Sequence, residues 1–191
     1  MSPSIYLASQ SPRRRELLTQ IGITYELLSN DIDESVLPNE QPAAYVERLA
    51  IEKAQAGQEL AIENKPILGS DTIVVINNQI MGKPHDEKHA IAMLLSLSGK
   101  EHQVMTAVAL VLGTKVHSEV VITKVKFRDI SEQEAVNYWQ SGEPKDKAGG
   151  YGIQGLGAQF VEKIDGCYFA VVGLPLMRTQ QMLNNFIALA H

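Results

Sequence analysis

Apolar residues come in short runs parted by polar and glycine-rich breaks, and the spacing inside each run names an element. Ile5-Tyr6-Leu7-Ala8 is an unbroken apolar run of strand length. Ser9-Gln10-Ser11-Pro12 then turns into a helix, with Ser11 placed to cap and Pro12 at the first helical position. Leu17, Leu18 and Ile21 give that helix an apolar face, and Gly22 a stop. Residues 23–29 read as a second strand, followed by the acidic loop Asp31-Ile32-Asp33-Glu34. Val46, Leu49, Ala50 and Ala54 recur at helical spacing, so a helix is expected over 42–56, with Lys53 near its end and Gly57 closing it. Residues 67–76 form the most strand-like stretch of the first half, broken in the middle by the polar triplet Ser70-Asp71-Thr72. Asn77-Asn78 permits a tight turn into Gln79-Ile80-Met81, and Asp86 can cap a third helix that stops near Gly99.

The second half is richer in strands. Residues 104–112 and 116–127 are long and β-prone, with alternation clearest from Val121 to Phe127, and Gly113-Thr114-Lys115 would join them as a hairpin. Ser131 and Glu134 have the spacing of a capping box, which predicts a helix to about Gln140. Residues 160–164 and 168–172 resemble another hairpin through Asp165-Gly166, and Pro175 opens a last helix to about Ala190. Strands and helices alternate throughout without linker or repeat. The expected class is therefore α/β, a single domain over 1–191 with an elongated mixed β-sheet flanked by helices.

Composition narrows the function classes. A chain of 191 residues with 45% hydrophobic side chains can bury a sizeable core, which excludes a disordered tail or a stapled mini-protein. The single cysteine, Cys167, can form neither an intramolecular disulfide nor a zinc site by itself, so a reducing compartment, the cytoplasm, is expected. No apolar run reaches the roughly 18 residues of a membrane span, and Met1 to Leu7 lacks a basic n-region, so neither membrane insertion nor export is expected. Seventeen basic against 22 acidic side chains leave a net charge of −5, which argues against stable binding to nucleic acid.

One place runs against that acidity. Arg13-Arg14-Arg15 follows a strand, begins a helix and lies beside the hydroxyls of Ser9 and Ser11. A basic triplet ordinarily marks a solvated face. Here, however, helix N-terminal N–H groups and cations converge where an anion would relieve the unfavourable helix dipole, so a phosphate site is favoured. Asp71 interrupts an apolar run, and an enclosed carboxylate must be paired, metal-bound or exposed at a strand end. Asp33 and Glu34 belong to an acidic loop, and by themselves they read more readily as solubilising charge than as chemistry. If Asp71 and Glu34 converged near the arginines, they could hold Mg²⁺ or activate water. Lys53 and Lys83 are single lysines, the latter constrained by Gly82 and Pro84. His85, His89, His102, His117 and His191 show no metal-ligand spacing and receive no chemistry.

Residues 149–157 carry five glycines. Gly150-Tyr151-Gly152-Ile153-Gln154-Gly155 matches G-x-G-x-x-G, but that fingerprint has mechanical meaning only between a strand and a helix, and here a helix and a charged loop precede it while a strand-like run follows. The glycines let backbone approach a ligand, with Gln154 able to read a base edge, or they form a plain connecting turn.

Taken together, Ser9-Gln10-Ser11-Pro12-Arg13-Arg14, Asp31-Ile32-Asp33-Glu34, Gly69-Ser70-Asp71-Thr72, Gly82-Lys83-Pro84, the segment from Asp146 to Gly155 and Val172-Gly173-Leu174-Pro175-Leu176 resemble the Maf family of septum-formation-inhibitor-like nucleotide pyrophosphatases. The resemblance implies a Maf/ITPase-like fold and hydrolysis of a nucleoside triphosphate to the monophosphate and pyrophosphate, with a divalent cation, Mg²⁺ or Mn²⁺. Gln154, Arg13 and Thr72 resemble the dTTP/UTP branch. By that resemblance Asp71 is the proton acceptor; Arg13, Thr72 and Gln154 set specificity; Ser9, Arg14, Glu34, Lys53 and Lys83 match positions of the substrate pocket; and the chain forms a homodimer. A carboxylate can equally hold the cation, so Asp71 acts as the base or, with Glu34, as a metal ligand. A pyrophosphatase for modified purines such as ITP or 7-methyl-GTP stands as an alternative, as does a non-catalytic regulator of septum formation.

Overall fold

The computed structural model describes residues 4–29 and 31–188. Met1 to Pro3, His191 and the last two residues of the expected final helix lie outside the described residues. The chain divides into two compact units. The first comprises the residues up to Asp71, Thr106–Val121 and the chain from Gly173 onward; the second comprises Thr72–Met105 and Ile122–Val172.

The first unit begins with β1 (Ser4–Ala8), α1 (Pro12–Gln20) and β2 (Thr24–Leu27), and β1 and β2 pair in parallel. Ser11 occupies the N-cap of α1, yet its side chain makes no capping bond; the hydroxyl of Ser9 instead accepts from the Ser11 N–H at 3.3 Å. The next helix, α2 (Pro42–Gln58), runs past the expected stop, because Gly57 lies inside it and packs where a Cβ would sit 3.0 Å from the Ala8 Cβ. A long strand, β3 (Ile67–Ile76), begins beside β1 in parallel register. The polar triplet does not break it: Ser70 and Asp71 are buried within a continuous strand because each has a partner.

In the second unit the end of β3 turns through Asn77 and Asn78, both at positive φ, into the antiparallel β4 (Gln79–Met81). The third helix, α3 (Glu87–Leu97), is capped by Asp86, whose carboxylate accepts from the His89 N–H at 2.7 Å. Two long strands, β5 (Glu101–Leu112) and β6 (Lys115–Phe127), serve both units, and α4 (Glu132–Gln140) starts with the expected Ser131/Glu134 capping box. The core of this unit gathers Val74, Leu94, Leu97, Val104, Phe127, Tyr138 and Phe160.

The second expected hairpin is not formed. β7 (Val161–Asp165) pairs antiparallel with β6, while residues 168–172 form a short helix, α5 (Tyr168–Val172). Tyr, Phe and Val favour strands and β7 ends the sheet order, but the Thr123 hydroxyl accepts the Cys167 N–H at 3.0 Å just where α5 begins, and the Val171 N–H turns back to the Cys167 carbonyl at 3.3 Å, so this segment closes its bonds as a helical turn. The chain ends with α6 (Leu176–Ala188). The seven strands form one mixed sheet in the order β2-β1-β3-β5-β6-β7, with β4 paired to β3. No helix among the described residues is long and apolar enough to cross a membrane.

Candidate active site

The site in the first unit starts from a close approach of α2 to β3. A Cβ on Gly69 would run into the Ala50 carbonyl oxygen and lie 2.7 Å from the Ala54 nitrogen, so only glycine lets the helix lie this near the strand. Lys53 on α2 is thereby brought onto Asp71 on β3. Its Nζ donates to Asp71 Oδ1 at 2.6 Å and meets Glu34 Oε1 at 2.7 Å. Asp71 is only 9% exposed, and an ammonium shared by two carboxylates is what makes its enclosure tolerable.

The loop that carries Glu34 is held down by α2. The Tyr45 hydroxyl donates to the Glu34 carbonyl at 2.7 Å, and Arg48 donates to the Ser35 carbonyl at 3.0 Å. Arg48 also grips Glu40 through two bonds of 2.6 and 2.8 Å, and this hydrogen bonding holds the Glu40 carboxyl down at about 2. The sequence alone singles out neither Tyr45 nor Arg48. Tyr45, Leu49 and Lys53 share one helical stripe, which is the signal that could have found the tyrosine.

Arg14 lies inward. Its Nε donates to the Gly173 carbonyl at 2.9 Å and its Nη1 to Ser9 Oγ at 3.1 Å, and the Ser70 hydroxyl donates to the same Gly173 carbonyl at 3.3 Å. Burial pulls the guanidinium pKa below its ordinary value; Asp71 pulls it back up, Arg13 adds to the fall and Glu34 opposes it. Gly173 is therefore a structural partner that its residue type did not reveal. The arginine triplet is not one patch, because successive helical residues point about 100° apart. Arg13 is half-buried, while Arg15 lines a groove with Pro12, Glu16, Thr19, Gln20 and Tyr25.

Ser9, Arg14, Glu34, Lys53 and Asp71 are thus joined by direct bonds or by the charge of one upon another. Among the described residues no group of three or more His, Cys, Asp or Glu side chains gathers as a metal centre. Two hard carboxylates converging on one cation nevertheless fit Mg²⁺ or Mn²⁺, which commonly take one or two carboxylates and complete their shell with phosphate oxygens and water.

The second unit holds Thr72, Lys83 and Gln154. Thr72 is half-buried and directly follows Asp71 in β3. Lys83 is exposed in front of the buried Pro84, and the Gly82 carbonyl accepts the Gly149 N–H at 3.0 Å, which ties the Lys83 loop to the glycine-rich segment. That segment lies between 3-10 turns at Ala148–Gly150 and Leu156–Phe160, not between a strand and a helix, so the G-x-G-x-x-G match has no dinucleotide-binding geometry. Gln154 is exposed at the intervening turn.

Comparison with known proteins agrees with the motifs. A relative from Pseudoalteromonas translucida, named dTTP/UTP pyrophosphatase, is 59% identical over 187 residues, covering 98% of this chain and 99% of that protein. One from Aliivibrio fischeri bearing the same name is 54% identical over 191 residues, covering 98% and 100%. A solved structure described as a nucleoside-triphosphatase, dITP/XTP pyrophosphatase, from Mycobacterium abscessus is 17% identical, covers 66% of this chain and 75% of that one, and has a TM-score of 0.44. The family described as Maf-like protein matches residues 4–186, a span that includes every residue of the Ser9, Arg14, Glu34, Lys53 and Asp71 cluster, and the chain belongs to that family.

Proposed function

We propose that this chain is a nucleoside triphosphate pyrophosphatase that hydrolyses dTTP and UTP to the monophosphate and pyrophosphate, a house-cleaning activity in the cytoplasm. The observation that carries the reading is the enclosed Asp71 carboxylate bonded to Lys53 beside the inward-facing Arg14. The names and near-complete coverage of the relatives support the substrate. The single cysteine supports a reducing compartment.

Asp71 takes a proton from a water whose oxygen bonds to the α-phosphorus. The bond from that phosphorus to the oxygen bridging the β-phosphate breaks, and pyrophosphate leaves with the electron pair. Arg14 and Lys53 meet the negative phosphate oxygens, where cations preorganised in an enclosed site are most effective, and the family resemblance supports Arg13 and Lys83 as further substrate-binding cations. Ser9 orients Arg14 through its 3.1 Å bond. Glu34 and Asp71 would hold a divalent cation, which when bound neutralises phosphate charge. Thr72 and Gln154 select the base, Gln154 by offering a donor and an acceptor side by side to uracil or thymine. The family resemblance also supports a homodimer, which light scattering checks.

The decisive experiment measures pyrophosphate release from dTTP, UTP, CTP, ITP and 7-methyl-GTP, with and without Mg²⁺ or Mn²⁺. Release from dTTP and UTP above the others, dependent on the cation, is expected. Preference for ITP or 7-methyl-GTP would overturn the substrate, and no release from any of them would overturn the activity.

A further inference from the structure

The turn that carries Gln154 is clasped from beneath by one carboxylate. Glu143 lies in a 3-10 turn, Glu143–Asp146, just after α4. Its Oε2 accepts the Leu156 N–H at 2.6 Å, and its Oε1 accepts both the Gly157 N–H at 3.0 Å and the Tyr138 hydroxyl at 2.7 Å. The Tyr138 oxygen in turn accepts the Gly152 N–H at 3.1 Å. Three backbone N–H groups at the two ends of the 152–157 segment are therefore fixed to a single carboxylate–phenol pair.

The fit is close enough to dictate composition. A Cβ on Gly155 would overlap Glu143 Oε2 and come within 2.6 Å of its carboxyl carbon, so glycine there serves contact with Glu143. Ile153 is buried and Tyr138 is 3% exposed, while Gln154 between the clasped ends is exposed. Burial favours the neutral acid, but the bonds from Gly157, Tyr138 and Leu156 outweigh it and leave the Glu143 pKa below its ordinary value, as suits a pure acceptor.

We propose that Glu143 is a positioning residue for substrate selection: with Tyr138 it clamps the 152–157 turn and so sets where Gln154 presents its amide to the pyrimidine base. The inference rests on the proposed activity and on Gln154 reading the base. A glutamine at 143 keeps the shape but must turn an N–H toward one of the groups that now donate, so the clamp opens while the fold remains.

The test compares Glu143→Gln, Tyr138→Phe, Gln154→Ala and the Glu143→Gln/Gln154→Ala pair, with kcat and KM measured for dTTP and dCTP. In the same proteins, NMR hydrogen exchange is followed at the Leu156 and Gly157 amides. In Glu143→Gln both amides lose protection, and the dTTP-over-dCTP preference falls about tenfold, mainly through KM, with kcat within about threefold of wild type. Gln154→Ala loses the same preference, and the pair loses no more than either alone, because both act through one contact. Tyr138→Phe, which removes only the bridging hydroxyl, moves the same way by a smaller factor and covers the case in which Glu143→Gln fails to fold. Unchanged amide protection, additive losses in the pair, or equal loss on both nucleotides would overturn the inference. If Glu143→Gln keeps full preference while Gln154→Ala loses it, the positioning role fails alone. If Gln154→Ala also keeps it, base reading by Gln154 fails and the inference with it, and wild type inactive on every nucleotide ends both.

Discussion

Lys53 Nζ stands between Asp71 and Glu34 at 2.6 and 2.7 Å, so one ammonium offsets two carboxylates and orients the more buried of them. Asp71→Asn removes the proton acceptor and weakens the cation ligand together, while the amide oxygen can still accept from Lys53. That variant should lose about 10²- to 10⁴-fold in kcat, the usual scale of general-base catalysis. Calorimetry with a non-hydrolysable dTTP analogue should find its binding changed by less than about threefold. A near-wild-type rate would remove Asp71 as the base. At this scale the sequence was informative where a residue type was out of place. An aspartate in an apolar run and arginines at a helix start both demand partners. Tyr45 and Arg48 gave no such signal, because a tyrosine and an arginine on an amphipathic helix have ordinary structural reasons to be there.

Elements were readable wherever a local rule fixed them and obscured wherever a distant partner did. The capping box at Ser131, the Asn77-Asn78 turn and the Asp86 cap are written within a few residues and occur as expected. Residues 168–172 form a helix although β7 ends the sheet order, because Thr123 on β6 binds the Cys167 backbone where the helix begins, a contact that local propensity does not encode. By residue type Gly57 looks like a stop, yet it is an interior contact whose reason lies in Ala8 and Ile67. Gly69 has the same character with a functional consequence, since α2 can bring Lys53 to Asp71 only if that position has no Cβ. Gly69→Ala should force α2 away from β3 at a cost of about 1–3 kcal/mol, the range for overpacking a dense core. Thermal unfolding should then shift down by several degrees, with pyrophosphate release falling alongside it. Wild-type stability in this variant would show that the helix adjusts and that the Gly69 contact does not set the Lys53 position.

Across the whole molecule, a net charge of −5 describes the surface more than the site. Arg14 is turned inward, and the acidic excess includes the two carboxylates that share Lys53. Between pH 6.5 and about 4 stability also responds to a buried group that no motif announced. His102 is 2% exposed, its Nε2 lies 2.7 Å from the Tyr151 hydroxyl, and its ring meets Phe127 edge-on at 4.8 Å between centroids. Burial penalises the imidazolium and pushes the His102 pKa from 6.5 down to about 4. Between those two values the unfolded chain binds the extra proton and the folded chain does not, so stability falls as the pH drops from 6.5 to 4 and this contribution levels off below. The gap is worth about 3 kcal/mol. Glu40 and Glu134, each held at about 2 by an arginine, add their own loss only below their ordinary value of 4.5, which leaves most of the upper window to the histidine. Urea midpoints measured from pH 7 to 4 should therefore fall steadily in the wild type. In His102→Gln, which retains a polar partner for Tyr151 but has no proton to bind, the slope over that range should flatten, and a slope equal to wild type would assign the acid sensitivity to other groups.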